Sequence, residues 1–281
     1  MKAKLKEELL KAKQGKYAVP AFNFDNLEMM KGIIEAAEAE KSPVILMVTE
    51  SAAKYMGLDY VFAFSLTAAI KATVPVVLHW DHGFDISLIK RAIDAGFSSV
   101  MLDSSLKPFA ENVKETQEIV AYARQKGVEV ESEIGHVGGK EDDRNSSSKG
   151  YTDVQEAVEF DKQTQIDALA VAIGTSHGLF SGEIKLQFEL LAELEKNIKT
   201  PLVLHGSSQV PLEDLQKAID LGITKINIGT DLKMACAEGI KAWFKENPNG
   251  FDARKYGRNG VDFVKAEAIK KIRAFRSNNK A

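Results

Sequence analysis

Apolar residues fall along this chain in two alternating rhythms. Short runs such as 43–49, 76–78 and 168–173 are nearly unbroken, and between them lie longer segments in which apolar residues recur every three or four positions. The runs have the length and β-branched content of strands covered on both faces, and the intervening segments have helical spacing. In order, the pattern predicts a helix over 5–13, a strand over 17–22 with Asn23 at its far end, a helix opening at 26–29, and a strand over 43–49. It continues with a helix over 59–72, the strand from Val76 that ends in Trp80-Asp81-His82-Gly83, a helix over 87–95, a strand over 99–103 and a helix over 108–126. The remaining strands are expected at 128–134, 168–173, 201–205 and 224–228, and the remaining helices at 153–164, 186–196, 212–221, 232–246 and 261–275.

Eight strand-then-helix units without an intervening linker predict an α/β fold. The expected architecture is a closed (β/α)8 TIM barrel forming a single domain over 1–281, with an extra N-terminal helix and C-terminal helices. An open doubly wound sheet is the alternative, but no G-x-G-x-x-G follows the first strand. The one long polar segment inside the chain, 138–150, is either a flexible surface connection or a lid over about 138–151 that orders on substrate.

Composition narrows the class. The 281 residues are 44% hydrophobic and 27% charged with a net charge of -3, which gives no electrostatic reason to expect nucleic acid. A single cysteine, Cys236, rules out an intramolecular disulfide framework and fits a reducing, cytoplasmic setting. The amino terminus is too charged for a signal-peptide core and no apolar run reaches membrane-spanning length, so no membrane association is expected.

In a parallel barrel the strand carboxyl ends share one rim, and three of the five histidines fall there: His82, His177 and His205 follow strands three, six and seven, each next to a glycine. Three strand-end imidazoles with a nearby carboxylate are a plausible shell for Zn²⁺. Along the third strand His79 and Asp81 point one way and Trp80 and His82 the other, unless the chain turns at the strand end, as is expected here. Asp81 is then the candidate proton-transferring carboxylate. His79 is expected to hold a neighbouring carboxylate or carbonyl, and His136 to face solvent or the substrate edge. The strand ends Gly206-Ser207-Ser208 and Asn227-Ile228-Gly229-Thr230 offer backbone N–H groups and hydroxyls where barrel enzymes bind phosphate. Together these features point to a phosphorylated carbonyl substrate.

Five motifs carry a resemblance: H-x-D-H-G at His79 to Gly83, V-E-x-E-x-G-x-x-G-G-x-E-D-D at Val130 to Asp143, S-H-G at Ser176 to Gly178, L-H-G-S-S at Leu204 to Ser208 and N-I-G-T-D at Asn227 to Asp231. In this order the chain resembles the class II, zinc-dependent ketose-bisphosphate aldolases, which include the fructose- and tagatose-1,6-bisphosphate enzymes. The resemblance implies His82, His177 and His205 as zinc ligands, with Glu133 a carboxylate that approaches the metal when the site rearranges. It implies Asp81 as the acid exchanging a proton with the C4 oxygen and Glu141 as the lid carboxylate for C3. It places Gly178, Gly206, Ser207, Ser208, Asn227, Ile228, Gly229 and Thr230 in the dihydroxyacetone-phosphate site, and Asn23 is grouped with these substrate-binding residues. A monovalent cation, Na⁺ or K⁺, and a homodimer or homotetramer also belong to what the resemblance implies.

The expected activity is reversible cleavage of a ketose 1,6-bisphosphate into dihydroxyacetone phosphate and an aldehyde such as glyceraldehyde 3-phosphate. No Schiff-base lysine is needed, and Lys225 reads as structural or hydrogen-bonding. The alternatives are an aldolase for another ketose 1-phosphate, a non-catalytic accessory subunit, and a metal-dependent sugar-phosphate isomerase or epimerase. Three positions depart from the family's usual pattern: Trp80 replaces leucine, Gln209 replaces glycine, and the run Gly229-Thr230-Asp231 differs, which leaves the aldehyde partner and the C4 stereochemistry open. Arg254, Lys255 and Arg258 are either a contact for a distal phosphate or a solvated basic segment.

Overall fold

The computed structural model describes residues 1–141, 144–146, 150–179 and 184–281, with the backbone alone for 141 and 144–146. In chain order the first elements are α1 (Leu5–Gly15), β1 (Val19–Asn23), α2 (Leu27–Glu40), β2 (Val44–Thr49), α3 (Glu50–Met56), α4 (Leu58–Lys71), β3 (Val76–Gly83), α5 (Ile86–Asp94), β4 (Ser99–Leu102) and α6 (Phe109–Gln125). They continue as β5 (Glu129–Ile134), β6 (Gly139–Glu141), β7 (Arg144–Ser146), α7 (Val154–Thr164), β8 (Ala168–Val171), α8 (Phe188–Asn197), β9 (Leu202–Leu204), α9 (Leu212–Asp220), β10 (Ile223–Ile228), α10 (Thr230–Glu246) and α11 (Ala253–Ala274). Strands β1 to β5 and β8 to β10 pair in parallel and close on themselves, β10 returning to β1, while β6 and β7 form a separate antiparallel hairpin. This is a (β/α)8 TIM barrel, as the alternation of apolar runs and helical segments predicts.

The period-two alternation of each strand sorts its side chains into two cores. Leu46, Val48, Leu78, Trp80, Val100, Leu102, Leu169 and Val171 face outward and pack with the surrounding helices. Val19, Ala21, Ile45, Met47, Val77, Ala168, Ala170 and Val203 face the lumen, where Leu5, Leu9 and Ala12 of α1 join them. These lumen residues come largely from the first halves of their strands, so α1 plugs the amino-terminal end of the barrel. The carboxyl ends are left to build a site.

Three local features differ from the sequence reading. Helix α3 was not expected: it is seven residues long, too short to show a helical period, and opens on Thr49, whose side chain accepts the Ala52 N–H at 3.4 Å. Helix α11 begins at Ala253 instead of 261, running through Gly257 and Gly260, which suggest an interruption in sequence. Glycines in this region serve close packing of helices. A Cβ on Gly239 of α10 would lie 2.6 Å from the Asn259 carbonyl oxygen, and one on Gly32 of α2 would lie 2.8 Å from that of Val261. Finally, the polar segment 138–150 contains the β6–β7 hairpin. Among the described residues no helix is long and apolar enough to cross a membrane.

Candidate active site

At the mouth of β3 the chain makes the turn the sequence requires. His82 has a φ of 43°, in the left-handed region that costs an L-residue roughly 1–2 kcal/mol, and the ladder to β4 shifts register between Trp80 and Gly83. Regular alternation would send His82 outward with Trp80. The shift instead sets its ring against those of His177 and His205, with centroids 4.9 and 4.7 Å away. His177 comes from the segment after β8 and His205 directly follows β9. All three are buried, and each offers a ligand atom within 4.8 Å of the others.

The groups behind the rings set their protonation. His82 Nδ1 donates to Asp103 Oδ2 at 2.9 Å. Burial opposes charge on Asp103, but the hydrogen bonds from His82 and Ser105 outweigh it and hold the carboxyl far below the usual range. His205 Nε2 donates to Glu131 Oε1 at 2.8 Å and Nδ1 to Glu133 Oε2 at 2.9 Å, which raises its pKa against the effect of burial. Lys225 Nζ donates to both oxygens of Glu131 at 2.9 and 2.8 Å, and both side chains are fully buried. Burial, with the neighbouring His82 and His205, pushes His177 well below its ordinary value. His177 is therefore neutral, the form that ligates a metal. His79 is pushed by burial and by Lys225 to about 3. It shares a 2.8 Å hydrogen bond with the Ser99 hydroxyl, while Glu131 stands 3.8 Å from its Nε2, so its partner is a hydroxyl and not the carboxylate or carbonyl expected.

Above the rings opens a cavity of about 370 Å³. Asn23, Asp81, His82, His177, Gly178, Gly206, Ser207, Ser208, Asn227, Gly229 and Thr230, all singled out from sequence, line it. Asn23 Nδ2 donates to Asp81 Oδ2 at 2.8 Å and Asn227 Nδ2 to Oδ1 at 3.3 Å. Although burial works against it, the neighbouring His82 and the Lys225 ammonium keep the Asp81 carboxyl below its ordinary range, hence ionised. At Gly206 the φ is 61° and a Cβ would lie 2.7 Å from the Ser176 carbonyl carbon, so only glycine fits. Gln209 has a φ of 64°, the conformation the family's usual glycine adopts without strain.

Not every expected residue reaches the cavity. His205 and Glu133 are not among the cavity-lining residues. The Ile228 side chain is in the outer core, leaving only its backbone for a ligand. The Glu141 side chain lies outside the described residues. Arg254, Lys255 and Arg258 border a separate cleft beside Trp243, and Arg258 forks onto Glu35 at 2.7 and 2.8 Å. Conversely, Lys140, Leu179 and Lys233 line the cavity without having been picked out, and Lys233 pairs with Asp25 at 3.0 Å. Asp103 and Glu131 were also missed. Asp103 closes the predicted strand over 99–103, and Glu131 precedes Glu133 by two, so strand periodicity puts them on one face.

The chain matches the model of the class-II fructose-bisphosphate aldolase family over residues 3–280. It belongs to this family. A fructose-bisphosphate aldolase of Geobacillus stearothermophilus is 45% identical over 280 residues, covering 99% of this chain and 98% of that protein. One from Staphylococcus aureus is 42% identical with the same coverage. Among solved structures, the YdjI aldolase of Escherichia coli K12 superposes with a TM-score of 0.90 at 37% identity over the whole of both chains. The protein is thus an aldolase, an aldehyde-lyase, of a metal-dependent family. Its three imidazoles fit a metal ion by their donor chemistry: all nitrogen, buried, convergent, and with His82 anchored from behind by a carboxylate.

Proposed function

We propose that this aldolase is zinc-dependent and reversibly cleaves a ketose 1,6-bisphosphate, of fructose or tagatose type, into dihydroxyacetone phosphate and an aldehyde such as glyceraldehyde 3-phosphate. The observation that carries this reading is the meeting of the His82, His177 and His205 rings beside an ionised Asp81, with His82, His177 and Asp81 lining one cavity. His82, His177 and His205 would hold the Zn²⁺ ion, which would supply Lewis acidity to the three-carbon fragment, where negative charge develops as C3–C4 breaks.

The chain's own groups do the rest. Gly206, Ser207, Ser208 and Thr230, with the amino end of α10, hold the phosphate of the dihydroxyacetone-phosphate half. Asn23 and Asn227 orient Asp81, which takes the proton from the C4 hydroxyl as that carbon becomes the aldehyde. Glu141 returns a proton at C3 to complete dihydroxyacetone phosphate. Lys225 holds Glu131 against Nε2 of His205, which leaves Nδ1 for a metal. Glu133, now on Nδ1, is then the group that moves. A monovalent cation, Na⁺ or K⁺, beside the phosphate glycines belongs to the same proposal.

Chelation should abolish cleavage, and zinc or cobalt should restore it. Borohydride added with substrate should trap nothing, because the Lys225 amine is committed to Glu131. Recovery of a reduced lysine adduct would reject the reading.

A further inference from the structure

The hairpin β6–β7 is fastened near two of the three candidate metal ligands, by two separate routes. On one side its backbone joins His177: the His177 N–H donates to the Gly138 carbonyl at 2.9 Å and the Lys140 N–H to the His177 carbonyl at 3.2 Å. On the other side the base of the segment is closed by His136, whose N–H donates to the Gly150 carbonyl at 2.9 Å while the Gly150 N–H returns at 3.3 Å. The His136 ring then leads back toward His82.

The donors along that route can be ordered. Asp103 receives the His82 Nδ1–H on Oδ2 at 2.9 Å, and on Oδ1 it receives the Ser105 N–H at 3.1 Å and hydroxyl at 2.7 Å. The Ser105 hydroxyl proton is therefore spent on Asp103, so its oxygen accepts from His136, whose Nδ1 stands 3.0 Å away. The His136 Nε2 is buried with no hydrogen-bond partner among the described residues, and His136 borders a separate cavity of about 110 Å³ beside Thr175. Among the described residues, Ser105 is thus the hydrogen-bond partner of this ring, while the Glu133 carboxylate stands farther off, 3.9 Å from the same Nδ1.

We propose that Ser105 and His136 are positioning residues that couple the seating of the β6–β7 hairpin to the metal ligand His82 through Asp103. The inference rests on the reading of His82, His177 and His205 as a metal site, and it makes hairpin and metal centre one cooperative unit. Fixing His82 from behind favours the tautomer whose Nε2 carries the free electron pair, and outer partners of this kind typically change metal affinity by 10–100-fold. Zinc should therefore tighten the hairpin, and a seated hairpin should tighten zinc.

The test uses the full-length protein, metal-free and zinc-loaded. Zinc affinity is read by competition with a chromophoric chelator, and backbone amide exchange is followed at Gly150 and Lys140. In the parent, zinc should slow exchange at both amides. In Ser105→Ala, zinc affinity should fall about tenfold, the zinc response at Gly150 should disappear, and the response at Lys140 should survive through the His177 route. His136→Phe should behave like Ser105→Ala, whereas His136→Asn, whose amide still donates to Ser105, should behave like the parent. That pair decides the matter if Ser105→Ala fails to fold. Affinity within twofold of the parent together with an intact Gly150 response in Ser105→Ala and His136→Phe would overturn the coupling. A parent whose zinc affinity is unchanged by His82→Ala would instead overturn the metal-site reading beneath it.

Discussion

Replacing Lys225 by methionine should unfold this barrel more easily than any comparable change to a surface charge. The ammonium sits 2.9 and 2.8 Å from the two oxygens of Glu131, and neither side chain reaches solvent. Methionine fills nearly the same volume but leaves the carboxylate buried with His205 as its remaining close partner. Removing one member of a buried pair typically costs about 3–5 kcal/mol, a large share of a typical domain's roughly 5–15 kcal/mol. For a chain of this size that corresponds to a fall in Tm of about 5–8 °C. The assay is urea unfolding at pH 7.5 on the metal-free protein, followed by circular dichroism. The companion variant Lys225→Met/Glu131→Gln removes the stranded charge and should regain at least half of the loss. A single variant within about 0.5 kcal/mol of the parent would refute the reasoning, since surface changes fall in that range. A double variant no better than the single would show that shape and not charge is at stake.

The remaining predictions are shorter. His79 is driven to about 3 from an ordinary 6.5, so below pH 6.5 the unfolded chain takes a proton that the folded one refuses. Its contribution to stability is complete above pH 6.5 and is lost as pH falls, about 2 kcal/mol by pH 5. His79→Gln should flatten the urea-midpoint profile between pH 7 and 5, and an unaltered slope would exclude His79 as the cause. Gly206→Ala places a methyl 2.7 Å from the Ser176 backbone at a φ of 61°, so dihydroxyacetone-phosphate affinity should fall at least about tenfold; titration calorimetry checks it. Glu141→Ala should leave zinc bound while slowing proton exchange at C3 of dihydroxyacetone phosphate by about 100-fold, as followed by deuterium incorporation.

The barrel was legible because most strands are short apolar runs separated from the next by a helix with a clear period, β5 with its alternating acids being the exception. The rim was legible because His82, His177 and His205 each sit where a strand ends. What stayed hidden depends on long-range approach. The glycines of α10 and α11 look like breaks in sequence, and only the packing of α2, α10 and α11 shows that they let helices touch. Asp103 and Glu131 carry no motif of their own, and their importance appears once the closed barrel brings Asp103 against His82 and Glu131 against His205 and Lys225. The basic run 254–258 has the composition of a phosphate contact, yet within one chain it borders another cleft, and its Arg258 is occupied by Glu35.

Helix α1 stoppers the lumen from below with Leu5, Leu9 and Ala12. Among the described residues the chamber above it is consequently a blind well, so under the proposed function the sugar phosphate enters and both products leave on the side of the rim, never through the barrel.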